Sequence, residues 1–370
     1  MPLTRSAARR SHRALASDDV LSTVFSFITP EAGFGAATTD KTFRDAWRRR
    51  CRGMLRVCRQ QIGEFAYSED CVAYGGGGGV MVPDLARFQN HGSLQTFSAD
   101  GTLLSSLNEN LNTPVAVALR GDGTAWVILN DENEVVCVRL AELASGGESE
   151  VLMRISPNAD DGGGPTLWLG SLALAGDSLL VLSTVEDEVE VEEEARYGYS
   201  LSPFVHVYDN QTGAFLRKFS LPEEFVDDDS HEESWGDFSG SMAVQGESLY
   251  LTNRCSHTVD EYRWRDMTLM RRFGGGDQRL VFDAPFGIAI RGKTLYVSEV
   301  EGRQIQVIRL SDDDDSEPDV LQVIPSPDGA RLGGLCLSGD RLWCLGPKYP
   351  RRELTTREDT YVHLFGPCYE

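Results

Sequence analysis

Chemistry needs side chains that can hold a proton, a metal or a covalent bond, and the candidates are few. Asn130 and Asp131, Ser183, Asn253 and Glu299 each stand just after an apolar segment, and His206 and His363 lie inside two others. Carboxylates, amides and histidines converging at segment ends could hold a metal for hydrolysis or pass protons in a lyase. Here the residue types differ from segment to segment, so no ring of Asp, Glu and His is expected. A carboxylate or amide at a strand end more simply caps its own turn. The two histidines sit in alternating segments and are expected to pack or to face solvent. No GxSxG nucleophile sequence occurs. The glycine run Gly75–Gly79 precedes no helical pattern, so it reads as a flexible turn and not as a phosphate cradle. Eight cysteines (Cys51, Cys58, Cys71, Cys137, Cys255, Cys336, Cys344, Cys368) include no CxxC pair and no zinc-type spacing with the six histidines, so neither metal nor cofactor is expected.

Charge is the stronger clue. The chain carries a net charge of −22, unevenly divided: residues 1–62 hold 12 Lys/Arg against 5 Asp/Glu, and the remainder holds 23 against 52. A body this acidic repels phosphate backbones, which disfavours nucleic acid as its ligand. No apolar run approaches the roughly 20 residues that a membrane span needs. The N-terminus lacks the apolar stretch of a secretory signal, so the thiols are expected to be reduced and the protein intracellular, in cytoplasm or nucleus. Residues 1–17, rich in Arg, Ser and Ala and free of acid, offer a minor alternative as an organelle transit peptide.

The elements that must position these residues come from an internal repeat. A small residue, an apolar triplet, a polar turn and a second apolar strand recur in "AVALRGDGTAWVIL" from Ala116, "SLALAGDSLLVLS" from Ser171, "SMAVQGESLYLTN" from Ser241, "GIAIRGKTLYVSE" from Gly287 and "GLCLSGDRLWCLG" from Gly334. "VAYGGGGGVMVPD" from Val72 is a sixth copy. Two further alternating strands follow each hairpin, as in "RQIQVIRL" and "DVLQVIP". Four strands per unit, repeated radially, make the blade of an all-β, six-bladed β-propeller over residues 63–370. The small residue suits the crowded axis where inner strands converge, so Gly287→Leu should overpack it. The last copy supplies only three obvious strands, and "EFAYS" from Glu64 is expected to complete it.

The segment Phe282 to Leu310, "FDAPFGIAIRGKTLYVSEVEGRQIQVIRL", resembles an NHL repeat, with Pro285 and Gly287 opening the inner strand and Arg303 before the third. The resemblance covers roughly 300 residues and implies a six-bladed propeller that binds partners. Non-enzymatic protein interaction is therefore the expected function, with an NHL-type scaffold or a channel-centred hydrolase or lyase as alternatives.

Ahead of the propeller, residues 1–14 read as a disordered basic tail and 15–62 as a small helical module. "DDVLSTVFSFI" places Val20, Leu21, Val24, Phe25 and Ile28 on one helical face, with Ser17 as N-cap. A second helical stripe is expected from Asp40 to about Gln61. Leu15 to Trp47 resembles an F-box, which implies a Skp-type adaptor as partner, a cullin ubiquitin ligase as context, and Leu15, Val20, Leu21, Val24, Phe25, Ile28 and Trp47 as the contacts. A helical cap on the propeller is the alternative.

Antiparallel strands alternate in direction, which sorts the acidic runs by face. The run Glu186, Asp187, Glu188, Glu190, Glu192, Glu193 and Glu194 is expected as a loop between strands two and three of blade three. Glu223–Glu233, containing Asp227, Asp228 and Asp229, links blades three and four on the same face. Asp312–Asp315 belongs to the opposite face, while the basic stretch Lys348–Glu358 shares the first face across the ring. The partner expected on that face is a basic protein segment.

Overall fold

In the computed structural model of this chain the described residues run from 55 to 367, apart from 66–70, 75–78, 85–91, 108–110, 131, 141–149, 158–166, 191–196, 223–239, 276–279, 312–317, 328, 330 and 347–359. The chain divides into a unit of Met1–Cys58 with Phe365–Glu370 and a larger unit, Arg59–Leu364. The described residues form an all-β, six-bladed propeller of six four-stranded sheets. Blades one to five occupy residues 72–107, 114–155, 167–220, 242–274 and 285–325, each with strands in sequence order from the axis outward. The sixth runs Leu335–Ser338, Arg341–Gly346, Thr360–Pro367 and, outermost, Leu55–Phe65.

An early strand thus closes the ring, pairing an edge that would otherwise stay open. It begins nine residues ahead of the expected Glu64. The second helical stripe therefore cannot reach Gln61, because Leu55–Phe65 is strand; partnership with the last blade overrides a local pattern that fits either structure. Among the described residues no helix is long and apolar enough to cross a membrane.

The repeat aligns as the sequence pattern predicts. Ala118 pairs with Trp126, Ala173 with Leu180, Ala243 with Tyr250, Ala289 with Tyr296 and Cys336 with Trp343. Gly176, Gly246, Gly292 and Gly339 each open a two-residue turn with φ between 57° and 64°, the arrangement of type II′ hairpins, in which glycine takes the first central position. Second strands such as Thr124–Leu129 are buried along their whole length, because a neighbouring blade covers each of their faces. The core is accordingly a ring of inter-blade seams. Ala116, Trp126 and Ile128 pack against Leu172, Leu179 and Val181 between blades two and three. Tyr250, Val259 and Phe273 pack against Ile288, Leu295 and Val297 between blades four and five.

Candidate functional site

The strand-end residues turn inward to serve their own blades. Asn253 Oδ1 accepts from the backbone N–H groups of Cys255 and Ser256 at 3.1 and 3.0 Å, an Asx turn that uses up the amide oxygen. Glu299 is buried and accepts from Nε2 of Gln304 at 2.9 Å and from Nε2 of Gln306. Burial raises its pKa. Its turn is fitted so closely around the carboxylate that a Cβ on Gly302 would stand 2.0 Å from Oε2. Ser183 and His206 are both fully buried, with Oγ 2.9 Å from Nδ1. A Ser–His pair could in principle activate a nucleophile, but this one is sealed in the seam between blades two and three beside Phe204 and Tyr208. His363 is buried too.

What lines the axis is different. A cavity of about 280 Å³ is walled by inner-strand residues of every blade: Cys71 and Val72, Val117, Leu172, Ser241 to Val244, Ile288 to Ile290, and Leu335 to Leu337. Apart from Ser241 and the thiols of Cys71 and Cys336 its side chains are apolar. Inner strands have one unpaired edge, so backbone N–H and C=O groups supply the remaining polarity of the wall. Among the described residues no group of three or more His, Cys, Asp or Glu could hold a metal ion. Cys71, Cys137, Cys255, Cys336 and Cys344 are not joined in disulfides. Burial, with Cys336 adding to it, pushes the Cys344 thiol well up, which keeps it protonated and unreactive.

Hydroxyls hold this wall together. Thr252 Oγ1 accepts from Ser241 N–H at 2.8 Å and donates to the carbonyl of Phe286 in the next blade at 2.6 Å. Ser298 Oγ repeats the arrangement one blade on, accepting from Gly287 N–H at 2.9 Å and donating to Gly333 O at 2.6 Å. Blade three uses its inner strand, where Ser171 Oγ accepts from Met242 N–H at 3.3 Å. Gly287 sits in the middle of this network: a Cβ there would meet Gly333 O at 2.4 Å and Leu335 N at 2.8 Å. That backbone approach is why glycine stands at 287.

The first part of the acidic run of blade three, Glu186 to Glu190, is strand and not loop. Its strands Ser178–Glu190 and Tyr197–Asp209 are 13 residues each, against six in the second strands of blades two, four and five. Glu186, Asp187, Glu188 and Glu190 lie on the extension, in register with Leu201, Ser200, Tyr199 and Tyr197. The first strand stops at Leu167, opposite Val185, so the last five residues form a two-stranded ribbon about 17 Å long. Val185 and Val189 interrupt the acids within this strand, and pairing with Tyr197–Leu201 outweighs the charge density that suggested a loop. Glu192, Glu193 and Glu194 lie outside the described residues, as do Asp227, Asp228 and Asp229, the run Asp312–Asp315 and the basic stretch Lys348–Glu358. The expected adaptor contacts Leu15, Val20, Leu21, Val24, Phe25, Ile28 and Trp47 also lie outside them.

Elsewhere on the ribbon's face charges are matched internally. Glu301, between strands two and three of blade five, meets Arg254 of blade four at 4.0 Å and Arg331 on the approach to blade six at 2.6 Å. Blade four contains two ion pairs, each of a buried acid with a part-buried arginine, that motif reading missed. Asp260 takes both Nε and one terminal nitrogen of Arg272 at 2.8 Å. Glu261 takes Arg271 at 2.6 Å, Ser248 Oγ at 2.7 Å and Tyr250 Oη at 3.0 Å. The signal was present as "TVDEYR" facing "TLMRRFG", acids opposite arginines across the third and fourth strands.

No protein-family model and no curated protein matches the chain, so the NHL and F-box resemblances do not become family membership. Among solved structures the chain is similar to a luciferin-regenerating enzyme, at 12% identity and a TM-score of 0.52 over 85% of this chain and 95% of that one. It also matches a chain of a nidogen/laminin complex, at 13% identity and a TM-score of 0.47 over 73% and 84%. At these identities the likeness is one of fold. It nevertheless corrects the expectation that the chain carries out no chemistry. That expectation rested on the propeller, and a propeller of similar architecture is named as an enzyme.

Proposed function

We propose that this chain is an interaction protein whose propeller receives a partner through a basic protein segment, with the acidic ribbon of blade three as the docking arm. The fold is compatible with such a role. The observation that carries the reading is the ribbon itself, an extension of about five residue pairs with four acids on one strand, past the point where the blade's own first strand stops. Attraction over about a Debye length, roughly 8 Å at physiological salt, would draw a basic segment to it and orient it.

The F-box-like segment Leu15 to Trp47 gives the reading its finer form, in which a bound partner is presented to a Skp-type adaptor of a cullin ubiquitin ligase. Full-length protein is compared with a variant carrying Gln or Asn at Glu186, Asp187, Glu188, Glu190, Glu192, Glu193 and Glu194, and with Phe25→Asp. Proteins recovered with each are identified by mass spectrometry. The reading expects the ribbon variant to lose basic partners and keep the adaptor, and Phe25→Asp to do the reverse. Recovery of the same basic proteins by the wild type and the ribbon variant would refute the docking arm.

A further inference from the structure

Blades three and four end in outer strands of the same design. "FLRKF" from Phe215 aligns with "LMRRF" from Leu269, and each strand shifts its register at the second of these residues, Leu216 and Met270. The arginine that follows stacks on a ring in both: Arg217 Cζ lies 5.3 Å from the centroid of Phe219, and Arg271 Cζ 5.3 Å from that of Phe273. The third strands differ. Opposite Arg271 stands Glu261, which binds it at 2.6 Å, whereas opposite Arg217 stands Val207. Opposite Arg272 stands Asp260, at 2.8 Å, whereas opposite Lys218 stands His206. Blade three thus repeats both cations of blade four and omits both acids.

The consequence falls on Arg217. It is exposed and forms no ion pair among the described residues. Its stack on Phe219 narrows the side chain's freedom before any partner arrives, which lowers the ordering cost of binding. Beside it Phe215 and Leu216 are 40% and 51% exposed, so an apolar contact adjoins the cation. The strand is also the outer edge of its sheet, where an extended segment finds unpaired backbone groups. A carboxylate flanked by aliphatic side chains matches this surface. A phosphate-rich membrane or nucleic acid matches it less, because it would also meet the acids of a strongly acidic propeller.

We infer that the outer strand of blade three, Phe215–Ser220, docks a short acidic segment of a partner protein, with a carboxylate on Arg217 and aliphatic side chains on Phe215 and Leu216. This is a second surface on the blade and does not rest on the docking arm: the ribbon takes a basic segment, the outer strand an acidic one.

Binding of a rhodamine-labelled peptide, Leu-Glu-Leu-Glu-Leu, to full-length protein is followed by fluorescence anisotropy at low salt, with Leu-Gln-Leu-Gln-Leu as the control. The glutamate peptide should bind saturably and the glutamine peptide several-fold more weakly. Arg217→Gln should weaken the glutamate peptide about five- to ten-fold and leave the glutamine peptide unchanged. Val207→Glu, which gives blade three the acid of blade four, should do the same; if that variant does not fold, Arg217→Gln alone decides. Neutralising the acids of the ribbon should leave the glutamate peptide bound, which separates this site from the docking arm. Equal affinity for the two peptides, or an Arg217→Gln variant that binds as the wild type does, would overturn the inference. So would binding of phosphatidylserine vesicles through Arg217 in place of the peptide.

Discussion

At one position of the third strand, set against one position of the fourth, blade four places Asp260 opposite Arg272 and blade three places His206 opposite Lys218. The positions are cognate, since Leu251, paired with Met242, faces Asp260, and Val181, paired with Leu172, faces His206. Blade four fills the site with ions. Blade three fills it with rings: Phe204, His206, Tyr208 and Phe215 lie 5.6 to 6.3 Å apart between centroids, and Lys218 Nζ stands 4.0 Å over Phe204. The same blade then continues into the acidic ribbon. One backbone thus supports a blade that pairs its charges within its sheet and a blade that carries its acids on an extension beyond its first strand. Packing tolerates either arrangement, and the extension leaves charge available to a partner.

Arg272→Met should separate the two blades most sharply. It leaves Asp260, which is fully buried, without its bidentate partner, and breaking such a pair costs about 3–5 kcal/mol. Chemical denaturation should show a loss of that order, and Asp260→Leu combined with Arg272→Met should recover most of it. If the single variant is as stable as the parent, the blade-four ions are ornamental.

Next in size is a pH effect. Burial, with Glu261 adding to it, pushes the Tyr250 phenol up to about 12 from 10.0. The folded state then holds its proton more tightly than the unfolded state, so this stability is fully present below pH 10 and drains away as pH rises through 12, by about 3 kcal/mol in all. Tyr250→Phe loses the hydrogen bond to Glu261 and should be about 1 kcal/mol less stable at pH 7. Above pH 10 the gap should close and then invert. A gap that is constant from pH 7 to 12 would show that Tyr250 titrates normally.

Smaller again, Lys218→Met should cost about 0.5–1 kcal/mol, the value of a part-exposed cation over a ring. A loss equal to that of Arg272→Met would erase the contrast. The least effect on stability should come from joining Val185 to Ser202 by a two-residue turn. Removing the ribbon leaves the four strands of blade three paired, and thermal unfolding should shift by about 1 °C or less. A fall of many degrees would mean that the ribbon is part of the fold.

The blades were legible because a repeat of hairpins with Gly176, Gly246, Gly292 and Gly339 at fixed offsets has one architectural solution. Ring closure was legible as a missing strand, though not its start at Leu55, where helix and strand periodicities both fit. The ribbon was read as a loop because dense charge masked the alternation of Glu188, Val189, Glu190 and Val191. The axis was legible as the place where inner strands converge, but its lining was not, because Asn253 and Glu299, the polar strand-end residues, turn into their own blades.

The central claim, that blade three's outward charge recruits a basic segment, is tested most directly by the association rate of an arginine-rich peptide measured by stopped flow across rising salt. For the wild type the rate should fall about ten-fold or more between low and high salt. Neutralising the seven acids from Glu186 to Glu194 should slow association several-fold at low salt and flatten the dependence, while Asn at Asp312–Asp315 changes little. Equal rates and equal salt slopes for the wild type and the ribbon variant would contradict the account.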